Sequence, residues 1–187
     1  MINYFFIVIL CLLIQCPYVS YGQGTYYFSN YVPSLGLDSP VFASDGERLS
    51  GPNYLAALYA GPNMDSLTLV DTAPFLTGAM AGYFRDPGQV FAPVAAGDFG
   101  WLQVTAWDAR LGPTFEAAKA RDIGGYGYSA VFQQQSGGAG APPTLPAALL
   151  GMKSFRLLLE VPESNTVVLF VFGLILIAAK CSRAMKP

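Results

Sequence analysis

Between Gly100 and Asp108 the chain alternates, with Leu102, Val104 and Ala106 on one face and Trp101, Gln103, Thr105 and Trp107 on the other. That period of two predicts a β-strand, the clearest in the chain. Tyr54–Ala60, closed by Gly61-Pro62-Asn63, reads as a second, central strand. Thr25–Tyr31 is β-branched and aromatic, and further strand-like pieces follow at Val41–Ala43, Leu67–Val70, Ser129–Gln134 and Ser154–Val161. Phe75–Phe84 is rich in Gly and Ala, with a strand expected around Gly82-Tyr83-Phe84. Val90–Val94 fits the pattern as well, but Pro93 withholds a backbone donor and demotes it. Turn pairs such as Asp45-Gly46, Pro87-Gly88 and Gly97-Asp98 separate these pieces at the ~8–12-residue spacing of a sandwich or barrel. One stretch reads as helix: Thr114 is placed to cap Phe115–Arg121, with Gly124 or Gly125 ending it. An irregular crossover loop is the alternative there. Ser136–Pro146 is a Gly/Pro-rich connector, either a linker or a long ordered loop. The pattern predicts an all-β fold over 23–160: a single β-sandwich, jelly-roll or immunoglobulin-like, with one short helix.

Both ends break this pattern. Phe5–Ile14 is an apolar run followed by the small residues Ser20 and Gly22, so 1–22 reads as a secretory signal peptide cut before Gln23. Met1-Ile2-Asn3 lacks Lys and Arg, which leaves an uncleaved N-terminal anchor as the alternative. Leu13-Ile14-Gln15-Cys16 invites a lipoprotein reading, but Ile14 and Gln15 are bulky where small residues are needed. At the other end Val167–Ala179 carries no charge, and Lys180, Arg183 and Lys186 form a basic tip. As a helix the strict run is about 20 Å long, and counting back to Val161 brings it near the ~30 Å of a bilayer core. A buried core helix would carry a polar stripe, and Val168–Ala179 has none. A C-terminal transmembrane helix is therefore expected, with the basic tip in the cytoplasm.

A Pro-Glu element, an apolar helix and a basic tip, in that order at the end of a chain, resemble a PEP-CTERM sorting signal. Tails of that family usually read Val-Pro-Glu-Pro-Ser-Thr, and this one reads Val161-Pro162-Glu163-Ser164-Asn165-Thr166. Ser164 replaces the second proline, Asn165 stands where Ser is common, and the tip is Lys-Cys-Ser-Arg rather than a run of arginines. The resemblance covers 161–187. It implies an exported protein of a Gram-negative bacterium, anchored in the inner membrane and then delivered to the cell surface or extracellular space. It also implies an exosortase-type processing enzyme as partner, acting near Val161, Pro162, Glu163 and Ser164. It supplies no activity for the rest of the chain.

Composition narrows the chemistry. Hydrophobic residues make up 53% and charged residues 12%, an excess that the two apolar ends largely explain. The net charge of −2 gives no footprint for nucleic acid. There is no histidine, and the cysteines are Cys11, Cys16 and Cys181, so the body between them must fold without a disulfide. Ser-His-Asp and Cys-His catalysis and histidine metal sites are excluded. Gly124-Gly125-Tyr126-Gly127 lacks the lysine of a phosphate loop. Asp71, Asp86, Asp98, Asp108 and Glu116 are carboxylates of the type that hydrolyse glycosides, but most lie beside Gly or Pro and read as solvated turn residues. Asp38, Asp45 and Glu47 are oxygen donors for calcium, with turn chemistry at Asp45-Gly46 the competing reading. Trp101 and Trp107 share one strand face, as do Tyr26 and Phe28. Exposed, the two tryptophans would be a glycan platform; buried, they are core. No catalytic residue, metal or cofactor is expected. The leading expectation is a non-enzymatic exported cell-surface or extracellular-matrix protein. A carbohydrate-binding module for extracellular polysaccharide is the alternative, and a carboxylate-dependent glycosidase the third.

Overall fold

The computed structural model describes residues 23–86, 88–139 and 142–159. The expected signal peptide, the sorting tail and its transmembrane helix lie outside them. In chain order the strands are β1 (Gln23–Tyr27), β2 (Tyr31–Val32), β3 (Leu37–Asp38), β4 (Tyr54–Gly61), β5 (Thr68–Pro74) and β6 (Val90–Ala95), followed by β7 (Phe99–Asp108), β8 (Tyr126–Tyr128), β9 (Phe132–Gln135), β10 (Gly137–Gly138) and β11 (Ala147–Ala148). One short α-helix, α1 (Phe115–Lys119), interrupts them. The fold is all-β with one short helix, as the alternation predicts. Among the described residues no helix is long and apolar enough to cross a membrane.

The long alternating strand is the centre of the larger sheet. β7 pairs antiparallel with β4 along its length, from Gly61↔Trp101 to Tyr54↔Asp108. β5 flanks β4, with a register shift between Leu58 and Tyr59. On its other edge β7 meets two short strands, β8 opposite Thr105–Trp107 and β9 opposite Phe99–Leu102. The expected strand Ser129–Gln134 is thus borne out only from Phe132 on, as β9, and β8 lies before it. Ser129 bridges the gap: its Oγ accepts from Val104 N at 3.0 Å, and its own N–H donates to Val104 O at 2.8 Å. A hydroxyl that takes a ladder donor competes with regular pairing.

A second, four-stranded sheet is built around β1, which pairs antiparallel with β6 and β10 and parallel with β11, while β2 and β3 pair only with each other in a two-stranded sheet. Pro93 is tolerated because β6 has only β1 as a ladder partner, so its other edge needs no donor. The connector Ser136–Pro146 supplies β10 and so belongs to the sheet rather than to a linker. Two other expectations are corrected. Phe75–Phe84 is a loop closed by one bridge between its end residues, with a 3₁₀ turn at Gly78–Met80 inside it. Of the expected strand Ser154–Val161, the described residues, up to Leu159, form a single bridge, Phe42↔Arg156. Val41–Ala43 likewise contributes only bridges, both at Phe42.

The two sheets face each other across one core. Tyr26, Val90, Ala92 and Val94 meet Ala56, Leu58, Leu102, Val104 and Ala106 in it. The alanines make room for the rings of Tyr26, Phe28 and Phe84, all fully buried. Tyr26 spans the layers, its phenol donating to Gln134 O at 3.0 Å, and burial pushes that phenol up to about 12. Gly100 is needed for this reach, because a Cβ there would meet the Tyr26 hydroxyl at 2.6 Å. Buried Asn30 ties three loops together. Its Nδ2 donates to Ser39 O and Gly82 O at 2.8 and 2.9 Å, and its Oδ1 accepts from Phe84 N at 2.8 Å. Such a fully satisfied amide avoids the ~1–3 kcal/mol cost of burying an unpaired polar group.

Candidate functional site

The odd face of β7 points away from this core and carries a second apolar cluster. Helix α1 lies over it, so Trp107, Phe115, Ala118, Tyr126 and Ala57 pack together. Thr114 Oγ1 accepts from Ala117 N at 3.1 Å and so caps the helix as expected, although the helix stops at Lys119. Phe115 is the hub, edge-on to Tyr59, Trp107, Tyr126 and Tyr128 at centroid distances of 6.0–6.5 Å. Trp107 is 2% exposed and its indole N–H donates to Gly112 O at 3.0 Å. Trp101 shares its face but is only half-buried, beyond the helix. The parity of the pair is as expected, yet no two-ring platform exists, because α1 covers Trp107.

The carboxylates separate into different environments. Asp108 is paired with Arg110. Asp71 and Asp86 are brought into hydrogen-bonding contact, and Asp71 is held above its ordinary value, first by burial and then by Asp86. Two carboxyls that close leave no room for a glycosidic carbon, which needs about 5 Å or more between them. Asp98 sits in the β6–β7 turn, where its backbone oxygen accepts from Ser136 N. Asp38 accepts from the Tyr83 phenol at 2.7 Å, and Asp45 caps Glu47 N at 2.9 Å, so Asp38, Asp45 and Glu47 do not converge. Among the described residues no group of three or more acidic, Cys or His side chains could hold a metal ion.

Glu116 is different. It stands in the first turn of α1 and accepts a hydrogen bond from the Tyr59 phenol, contributed by β4. That bond, ahead of all other influences, holds the Glu116 carboxyl below its ordinary value, while burial and the neighbouring Glu116 charge push the Tyr59 phenol up. Beside this pair opens a groove of about 340 Å³, walled by α1 on one side and the β4–β5 loop on the other. Gly61 permits that wall: a Cβ there would meet Ser66 O at 2.3 Å. Gln103 and Thr105 of β7 lie along the groove, and Lys119 closes one end, its ammonium 5.9 Å from the Tyr128 ring centroid. Of these residues, sequence reasoning reaches Glu116 as a carboxylate and Gln103 and Thr105 as strand positions. The i, i+3 spacing of Glu116 and Lys119 on the expected helix was the one available signal for the charged pair.

Other hollows lie elsewhere among the described residues. One of about 470 Å³ lies against Gln134, Gln135 and Ser136. Another of about 340 Å³ lies beside Tyr27, Tyr31 and Arg85, where the guanidinium donates to the Tyr27 phenol at 2.9 Å.

Comparison with protein-family models, with curated proteins and with solved structures finds no match to this chain.

Proposed function

We propose that this chain is an exported, non-enzymatic cell-surface or extracellular-matrix protein. In this reading 1–22 is removed on export. A transmembrane helix within 161–187 holds the body at the inner membrane, and an exosortase-type enzyme then releases or transfers it. The observation that carries the reading is the order of parts after the last anchored residues. Leu157 and Leu158 donate to Phe42 O and Tyr126 O at 2.9 and 2.8 Å, and Val161-Pro162-Glu163, the apolar run and the basic tip follow at once. In the sequence, a proline at 162 disfavours helix at the residue before it, which suits a protease that engages extended chain.

The test replaces Pro162-Glu163 with Ala-Ala and leaves Val167–Lys186 intact. The variant is expected to accumulate in the membrane at full length, while the wild type loses the basic tip. If both keep Lys186 and fractionate alike, the tail is an ordinary anchor.

A second reading, a carbohydrate-binding module for extracellular polysaccharide, is favoured by the polar groove beside the Tyr59–Glu116 pair, between α1 and the β4–β5 loop. Trp101 and Trp107 do not support it.

A further inference from the structure

We infer that the groove between α1 and the β4–β5 loop binds a neutral, polyhydroxylated ligand, one or two units of an uncharged glycan chain. The inference rests on the carbohydrate-binding reading and is independent of how the tail is processed.

The groove combines groups that no single simple ligand charge satisfies. Glu116 and Asp65 present carboxylates, which only accept, and Lys119 presents an ammonium, which only donates. An anion entering here meets two carboxylates, and a cation meets Lys119. A sugar hydroxyl both donates and accepts, so a row of them serves every group without a net charge to place. Gln103 fits this account: its Nε2 donates to Ser129 O at 3.1 Å, and its carbonyl oxygen takes no hydrogen bond from the described residues. Glu116 is pre-oriented, since the Tyr59 phenol donates to its carboxylate and holds it at the groove wall. Pre-orientation lowers the ordering cost of binding.

A second observation points to the same place. Among the described residues, the hydroxyls of Thr25 and Thr105 are the buried side-chain oxygens that find no partner. Thr105 is 2% exposed and lines this groove. A buried hydroxyl without a partner is unfavourable; this one is closed to solvent in the free groove, so a ligand hydroxyl or its attendant water pairs with it only as the groove opens on binding. Leu67 and Phe115 line the same groove and offer apolar surface to the C–H face of a sugar ring. The volume of about 340 Å³ falls within the ~300–1,000 Å³ of ligand clefts.

The test uses the full chain in micelles of lauryldimethylamine oxide, which has no sugar headgroup. Calorimetric titration compares neutral hexasaccharides of glucose, mannose, galactose and N-acetylglucosamine with the anionic hexamer of galacturonate and the cationic hexamer of glucosamine. At least one neutral hexamer is expected to bind, with both charged hexamers about tenfold weaker or more. Glu116→Gln and Lys119→Gln are each expected to weaken the neutral hexamer by about tenfold, or ~1.4 kcal/mol, read at a temperature where each variant is fully folded because Glu116→Gln also loses the charge that the Tyr59 phenol stabilises. Thr105→Val, which removes the hydroxyl and keeps the shape, should weaken binding without lowering the melting temperature. Binding that is unchanged in all three variants overturns the site while leaving the carbohydrate reading standing. Failure of every neutral hexamer to bind, or tighter binding of a charged one, overturns the inference itself.

Discussion

Asp108 and Asp71 respond to their surroundings in opposite ways. The Asp108 carboxylate, its side chain 2% exposed, accepts from Arg110 Nε at 2.9 Å on both oxygens and from the Arg110 backbone N–H at 2.9 Å on Oδ1. Burial pushes Asp108 up, but these hydrogen bonds together outweigh it and hold the carboxyl below its ordinary value. With the folded value below the unfolded one, the stabilisation is complete above the ordinary carboxylate range, about 4, and is lost as pH falls through the folded value. Asp108→Asn should therefore cost about 1–3 kcal/mol at pH 7. The difference in melting temperature from wild type should shrink below pH ~4, and a difference indifferent to pH would count against this account. Asp71 has the reverse sign. Its folded value is raised by burial and by Asp86, so its ionisation in the folded state carries a penalty. That penalty is absent below the unfolded value and complete above the folded one. Asp71→Asn should raise the melting temperature at pH 7, by less than about 1 kcal/mol in stability at this partly exposed position, with the gain vanishing below pH ~4. A variant less stable than wild type at pH 7 would show that the ionised Asp71 carboxylate is net stabilising, against this account.

At the scale of elements, α1 turns one face of the larger sheet into a second core. Trp107→Ala empties a site closed by Phe115, Ala118 and Tyr126, and core truncations of this size cost about 3–5 kcal/mol. Trp101→Ala, at a half-buried position beyond the helix, should cost clearly less. Denaturant unfolding of the two variants checks the order, and equal losses would mean that α1 contributes little. The elements also show which signals were local. β7 was legible because its alternation runs over many residues, and β4 because an apolar run, Tyr54–Ala60, is closed by Gly61-Pro62-Asn63; both become interior strands. β9 was legible in part, within the expected Ser129–Gln134, but β8 and the break between them were not, because Ser129 interrupts the ladder by pairing with Val104, and nothing near Ser129 in the chain marks that partner. Gly82-Tyr83-Phe84 looked like a strand, yet Gly82 O is taken by Asn30, 52 residues away. Pro93 counted against β6 only until the sheet order made β6 an edge strand.

For the whole molecule, the alternation along each strand determined the fold class and which residues share a face, because side chains on a pleated backbone must alternate. The absence of histidine and the placement of the cysteines determined which chemistries and crosslinks the body lacks. The sequence alone likewise carries the export and sorting proposal, since its signals lie in 1–22 and 161–187. Tertiary structure decided the rest. Strand parity put Trp101 and Trp107 together, but only the helix laid across β7 decided that one of them is buried. The candidate groove was decided in the same way. Tyr59 and Glu116 are 57 residues apart, on a strand and a helix, and neither residue's neighbours specify the other. They meet because β4 pairs with β7 in one register and α1 folds back over that pair, and long-range pairing of this kind is set by the packing of the two sheets and the helix rather than by any local pattern.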